Sequence, residues 1–318
     1  MPNERFTIHY SRKIRKIDPR SGFKYSRKAT ANAYVQALGE GEEQDRNRRP
    51  MEPIYEKIFP IRSYEVDAHG LVRPTAVLNY LQEAAGDHAK LLGISVRDLM
   101  AQGLTWVLSR THLKLLGTAH SREEMRVRTW PSTREGRFSC REFEVTATDG
   151  RPIAFATSSF AVLDLAIRRP VAIDEHLPAY PLLPSRALAD DFATLPRLSV
   201  PEMELTFRVG RGDLDINRHA NNVVYVDWAL ETVPAAVAEG CLLADLEIAY
   251  RAEVFYGETV LARSQELAGG KEPVFLHQLV RREDGAELTR LVTRWREYTK
   301  QDERTGNILT TGKRRKKS

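Results

Sequence analysis

Residues 207–231 open with Phe207-Arg-Val-Gly-Arg-Gly-Asp-Leu-Asp215 and close on Trp228-Ala-Leu-Glu231, and an earlier stretch repeats the pattern. There Phe59-Pro-Ile-Arg-Ser-Tyr-Glu-Val-Asp67 leads to Tyr80-Leu-Gln-Glu83, so Phe, Asp, an aromatic residue and Glu return at a constant offset of 148 residues. An internal repeat decides the fold before any single element does, because each copy must be one supersecondary unit.

Each copy reads as one strand, one long helix and then several strands. The first helix can begin at Pro74, a residue suited to the N1 position. Leu78, Leu81 and Ala85 recur at helical spacing, and Gly93 is placed to end the helix in the left-handed region. Ser95 followed by Asp98 reads as a box-like cap opening a short second helix. Met125, Val127 and Thr129 then alternate with Arg126 and Arg128, the two-residue period of a half-buried strand; Phe143, Val145 and Ala147 repeat it. In the second copy the spacing predicts a helix from about 222 to 238, with Pro234 inside as a kink or break, and strands near 244–253, 258–267, 273–282 and 287–297. One helix followed by a run of antiparallel strands is α+β. An antiparallel sheet wrapped around one long helix is the hotdog fold, and two such units in tandem give a double hotdog. The expected division is a basic tail over 1–50, a first hotdog over 51–174, a Pro- and Leu-rich linker over 175–200, a second hotdog over 201–299 and a basic tail over 300–318.

Composition narrows the function. Apolar content of 42% with 29% charged residues describes a globular protein, and no apolar run approaches the roughly 20 residues that span a bilayer. Cys140 and Cys241 are the only cysteines, too few for a disulfide framework or a zinc cluster, and they indicate a reducing compartment. That compartment is the cytoplasm, or a plastid stroma if the first 50 residues are a presequence; the acidic Asp18, Glu40, Glu42, Glu43 and Asp45 among them argue against one. The net charge of +5 is concentrated in residues 5–28 and in Lys313-Arg314-Arg315-Lys316-Lys317, which read as solvated tails. No helix-turn-helix pattern accompanies them, which argues against nucleic acid as the partner.

The chemistry is concentrated in Asp-Leu-Asp-Ile-Asn-Arg-His-Ala-Asn-Asn-Val-Val-Tyr, residues 213–225. Asp215, Asn217 and His219 stand at every second position of a polar loop that runs into a helix. A carboxylate, a carboxamide and an imidazole beside a helix N-terminus suit hydrolysis of an activated acyl group. The first copy has Asp67 but then His69 and Leu71, so the second copy is expected to be the catalytic one and the first to shape the acyl pocket. Asp213 reads as the acceptor of an Asx-type turn, and Asn221 or Asn222 as a helix N-cap.

From about Tyr55 to Arg296 the chain resembles the acyl-acyl carrier protein (acyl-ACP) thioesterases of plants and bacteria. The resemblance is carried by the 213–225 motif, by Ile-Arg-Ser-Tyr-Glu-Val at 61–66, by Asn79-Tyr-Leu-Gln-Glu-Ala84, by Leu104-Thr-Trp-Val-Leu-Ser-Arg110 and by Arg168-Arg169. It implies that Asp215, Asn217 and His219 are the active-site Asp, Asn and His. It also implies that Glu253, in Tyr250-Arg251-Ala252-Glu253-Val254, is the family's Glu. Val254 stands where a cysteine is common, which removes a thiol mechanism at that position. The implied substrate is a fatty acyl chain on the phosphopantetheine arm of an acidic carrier protein. The implied activity is thioester hydrolysis without metal or organic cofactor, by a monomer or homodimer. Backbone N–H groups of Asn221, Asn222 and Val223 would polarise the carbonyl, and Asp215 or Glu253 would activate water or attack directly. Leu78, Leu81, Trp106 and Leu108 would set the pocket depth, and Arg126, Arg128, Arg134 and Arg137 are candidate carrier contacts. Acyl-CoA hydrolysis by the same residues is the near alternative. A non-catalytic acyl-binding regulator and an enoyl-thioester hydratase are more distant ones.

Overall fold

The computed structural model describes residues 51–268, 270–299 and Asp302; the basic tail expected over 1–50 lies outside these, and so does that over 300–318 apart from Asp302. The first half contributes β1 (Tyr55–Pro60), β2 (Leu104–Leu115), β3 (Glu124–Glu135), β4 (Phe138–Ala147), β5 (Pro152–Asp164) and the short β6 (Arg169–Pro170). The second contributes β7 (Met203–Arg208), β8 (Cys241–Tyr250), β9 (Thr259–Ala268), β10 (Val274–Arg281) and β11 (Glu287–Glu297). Among the described residues these form one sheet in the order β1-β3-β4-β5-β2-β8-β11-β10-β9-β7, with β6 paired to β5. The order reads the same from both edges once the halves are equated, and every pairing is antiparallel. The halves join at the middle, where β2 pairs β8 from Arg110↔Ala249 to Lys114↔Asp245.

Two helices pack against the sheet in one hydrophobic cluster. α1 (Pro74–Leu91) ends as its sequence signals require, with Leu92 at the C-cap and Gly93 at φ 69°. α2 (Val96–Met100) follows, capped reciprocally by Ser95 and Asp98. α3 (Ile173–His176) closes the first half. In the second half α4 (Asn222–Leu230) is short and α5 (Ala235–Gly240) is separate. The single helix expected to run to about 238 is therefore two. Proline has no N–H to donate and its ring collides with the carbonyl four residues back, so the chain turns before Pro234, which becomes the N-cap of α5.

One hydrophobic cluster takes Val77, Leu78, Leu81 and Ala84 from α1, Val223, Val226 and Ala229 from α4, and apolar residues from strands of both halves. The helices are thus buried against a shared sheet as well as against each other. The stretch after α3 crosses to the second half along the other sheet face. Ser185 accepts from the Trp130 indole at 2.8 Å, Asp190 meets His112 at 2.7 Å, and Leu195 packs on Ala249, Leu276 and Val292. No helix among the described residues is long and apolar enough to cross a membrane.

Candidate active site

The loop between β7 and α4 is shaped by its own polar residues. Asp213 accepts the Gly210 N–H, three residues back, at 2.7 Å; it braces the loop, but not as the Asx-type turn expected, whose donor lies two residues on. Leu214 and Ala220 form an isolated bridge, and the Asp215 N–H donates to the His219 carbonyl at 3.0 Å. Residues 215–219 are thereby folded into a tight turn whose corner, Arg218, sits at φ 68°. Asp215 Oδ1 accepts the Asn217 N–H at 2.8 Å, and its Oδ2 lies 3.4 Å from the Asn217 amide nitrogen.

This turn is then tied to the segment after β8. The Ala220 N–H donates to the Val254 carbonyl at 2.9 Å and His219 bridges Phe255, which brings Glu253 alongside. His219 lies between two carboxylates: Nδ1 is 3.5 Å from Asp215 Oδ2 and Nε2 is 3.5 Å from Glu253 Oε1. These contacts are longer than a good hydrogen bond. All three side chains are partly buried, at 22–29% exposure, so solvent and substrate can both reach them. The four residues singled out from the sequence thus meet in one place.

The segment bearing Glu253 is held by two residues that the sequence pattern did not single out. Arg281, at the end of β10 and 4% exposed, donates through Nη2 to the Glu253 carbonyl at 2.6 Å and pairs with Glu258 and Asp284. The Tyr225 hydroxyl accepts the Val254 N–H at 3.1 Å and donates to the Ala252 carbonyl at 3.4 Å. Burial pushes the Tyr225 phenol well up, so it keeps its proton. Tyr225 lies within the quoted motif, whereas Arg281 is 28 residues from its carbonyl partner and left no local signal.

Asn221 is the N-cap of α4: its Oδ1 accepts the Val223 N–H at 3.0 Å, and Gln82 of α1 donates to the same oxygen at 3.3 Å. The Asn221 N–H is itself spent on the Asp213 carbonyl at 2.8 Å. Of the three amides expected to face the substrate, two are therefore committed to the fold. Among the described residues the Asn222 N–H has no such partner.

A narrow cavity of about 30 Å³ opens where the halves meet. Leu78, Leu81, Leu108, Asn222, Val223 and Tyr250 contribute to its wall, along with Phe143 and Phe160. Trp106 stands one layer out, edge-on to Phe160 and donating to the Ile94 carbonyl at 2.7 Å. The cavity's volume is well below the roughly 300–1,000 Å³ of sites that hold drug-sized ligands.

The first half reproduces the loop without the groups. At an offset of 148 residues the Asp67 N–H donates to the Leu71 carbonyl at 2.8 Å, Val66 bridges Val72, and Gly70 takes φ 78° where Arg218 takes 68°. Leu71 bridges His120 as His219 bridges Phe255, so Thr118 occupies the place of Glu253. Asp67 is left to accept the N–H groups of His69 and Leu71.

The motif carried by this second-half loop matches a family model. Residues 52–180 match the acyl-ACP thioesterase N-terminal domain and residues 199–297 its C-terminal domain. The chain belongs to the acyl-ACP thioesterase family. Membership makes it a thioester hydrolase acting on fatty acyl-ACP, with the double hotdog fold. A dodecanoyl-ACP hydrolase of Cinnamomum camphora is 30% identical over 261 residues, covering 76% of this chain and 68% of that protein. An oleoyl-ACP thioesterase of Arabidopsis thaliana is 27% identical and covers 76% of each. Among solved structures, the 12:0-ACP thioesterase of Umbellularia californica superposes with a TM-score of 0.70 at 25% identity, covering 78% of this chain and 96% of that one.

His112, Asp245 and Glu247 place ligand atoms within 4.8 Å of one another, but Arg294 donates to both carboxylates at 2.7 Å and already supplies the cation there. Of the arginines considered for carrier contact, Arg126 pairs with Glu56, Arg128 with Glu144 and Arg134 with Asp174, while Arg137 remains exposed on the β3–β4 turn. Three of the four are therefore committed within the fold.

Proposed function

We propose that this acyl-ACP hydrolase performs its chemistry with Asp215, Asn217, His219 and Glu253 of the second half, residues 201–299. On this reading the first half, 51–174, walls the acyl pocket and the 175–200 segment links them. The observation that carries this is the placement of His219 between two carboxylates in one half, against Asp67 alone in the other.

The roles follow from the contacts. Asp215 already takes the Asn217 N–H and lies within reach of the Asn217 amide and His219, so it orients the imidazole and not the water. Glu253, on the opposite side of the ring, takes the proton of the attacking water. The water oxygen bonds to the thioester carbon while the Asn222 N–H, at the positive end of α4, stabilises the oxyanion. Collapse then breaks the C–S bond; His219 gives the departing thiolate a proton, and the proton taken up by Glu253 passes to Nε2 and restores both groups. The products are a fatty acid and the free carrier thiol.

The test is thiol release from a series of acyl-ACPs, C8 to C18, with matching acyl-CoAs alongside. Turnover that favours the carrier and peaks at one chain length is expected; turnover with CoA alone would assign the same site to the neighbouring substrate class. His219→Ala should lower kcat by at least about 10²-fold, the lower bound typical of lost acid–base help, with the thermal midpoint retained. Near-normal turnover would remove His219 from the mechanism.

A further inference from the structure

The repeat supplies an internal control for the surface around the site. Both halves build the same turn on the same backbone, yet they present different side chains to solvent. Where the second half has Arg211, Ile216, Arg218, Phe255 and Tyr256, the equivalent positions of the first are Ser63, Ala68, Gly70, His120 and Ser121. All five border the site, Ile216 and Arg218 on the turn that carries Asp215, Asn217 and His219. Phe255 bridges His219, the Arg211 guanidinium lies 4.7 Å from the centre of the Tyr256 ring, and Gly257 donates to Val209 at 2.9 Å. Ile216 is 78% exposed, Tyr256 53% and Phe255 44%, a group of large apolar side chains that water alone does not explain. Arg211 and Arg218 are exposed and meet no carboxylate among the described residues. Arg218 keeps a left-handed backbone that the first half gives to glycine.

We propose that this rim is the docking face for the acidic carrier protein, with Arg211 and Arg218 meeting its carboxylates and Phe255, Tyr256 and Ile216 packing against its apolar surface. The proposal rests on the acyl-ACP reading of the site beneath it. It takes the place of the β3 arginines, whose charges are already paired. Continuity favours the assignment, since the thioester arm enters from whichever face exposes His219. A docked carrier on this rim leaves its arm the shortest path.

The test copies the first half onto the second. Arg211→Ser with Tyr256→Ser should raise KM for acyl-ACP about tenfold, as loss of a rim charge and an anchor does. Turnover of the uncharged acyl-pantetheine of the same chain should be unchanged. Equal losses with both substrates, or no loss with either, overturns the proposal. Amide hydrogen exchange on the wild-type chain needs no variant: adding carrier protein should protect residues 209–219 and 253–258. Protection elsewhere overturns it, and so does protection of these segments by raising the enzyme concentration alone, which would mark a self-association face. Failure of the wild-type chain to turn over any acyl-ACP would instead defeat the underlying reading.

Discussion

Asp215 and Asp67 are the same residue on the same turn, and only their neighbours separate them. Asp215 has Asn217 and His219 around it; Asp67 has only the N–H groups of its own loop. A carboxylate that meets only backbone donors is a structural acceptor, whereas one beside an imidazole can hold that ring for proton transfer. Arg218 shows the converse case, a residue kept at some cost. A left-handed backbone costs a non-glycine residue about 1–2 kcal/mol, while replacing it with glycine loses about 1 kcal/mol through the freer unfolded chain. Arg218→Gly should therefore leave stability equal to, or up to about 1 kcal/mol above, that of the parent. A clear fall in the denaturant midpoint would show that the arginine side chain holds the loop. This residue-scale contrast was visible in the sequence for Asp215, Asn217 and His219, because their spacing is local. The anchoring of Glu253 by Arg281 was not, because the contact crosses strands that only the folded sheet brings together.

At the scale of elements, the same division recurs. The starts of α1 and α4 and the two capping signals of the first half were legible, since caps and proline act within a few residues. The interruption at Pro234 was foreseen as a kink or a break, and the sequence could not choose between them, because it shows where a helix cannot continue but not whether it resumes along the same axis. Pocket depth was less legible: Trp106 has the period of a wall residue, but the α1–α2 connection takes up its indole at Ile94. The N-cap is a testable element. Asn221→Ala removes the acceptor for the Val223 N–H and for Gln82, and should cost about 1 kcal/mol. A loss of that size in thermal or chemical unfolding is expected; no loss would mean that water replaces the cap. Cys140 and Cys241 are unpaired, burial raises both thiols, and neither touches the site. Replacing each by alanine should leave kcat within about twofold, a change of about 0.4 kcal/mol in the barrier. Loss of turnover with the fold intact would revive a thiol mechanism.

The whole molecule is two units fused through one pair of strands, and a histidine sits at the seam. His112 of β2 meets Asp190 of the crossing segment at 2.7 Å and Asp245 of β8 at 3.0 Å, with both ring nitrogens against carboxylates. Burial lowers its pKa, but the hydrogen bonds and charges of Asp245 and Asp190 outweigh that and hold it above the ordinary histidine value. Arg294 and Glu247 complete the surroundings. A raised folded-state pKa stabilises most fully below the unfolded value near 6.5, and the gain is lost as pH rises through the folded value. Stability should therefore fall on the alkaline side of about pH 6.5, and His112→Asn should flatten that slope; an unchanged slope would mean that other groups set it.

The duplication was legible from a handful of residues at one offset, and it leads to the sharpest test of which half works. Asp215→Asn and Asp67→Asn make the same chemical change on the same turn in the two halves. Measured side by side for thiol release from acyl-ACP, Asp215→Asn should cut turnover at least about 10²-fold and Asp67→Asn should leave it near the parent value, with both variants folded. Loss of turnover in folded Asp67→Asn with activity kept in Asp215→Asn would contradict the assignment and move the chemistry to the first half.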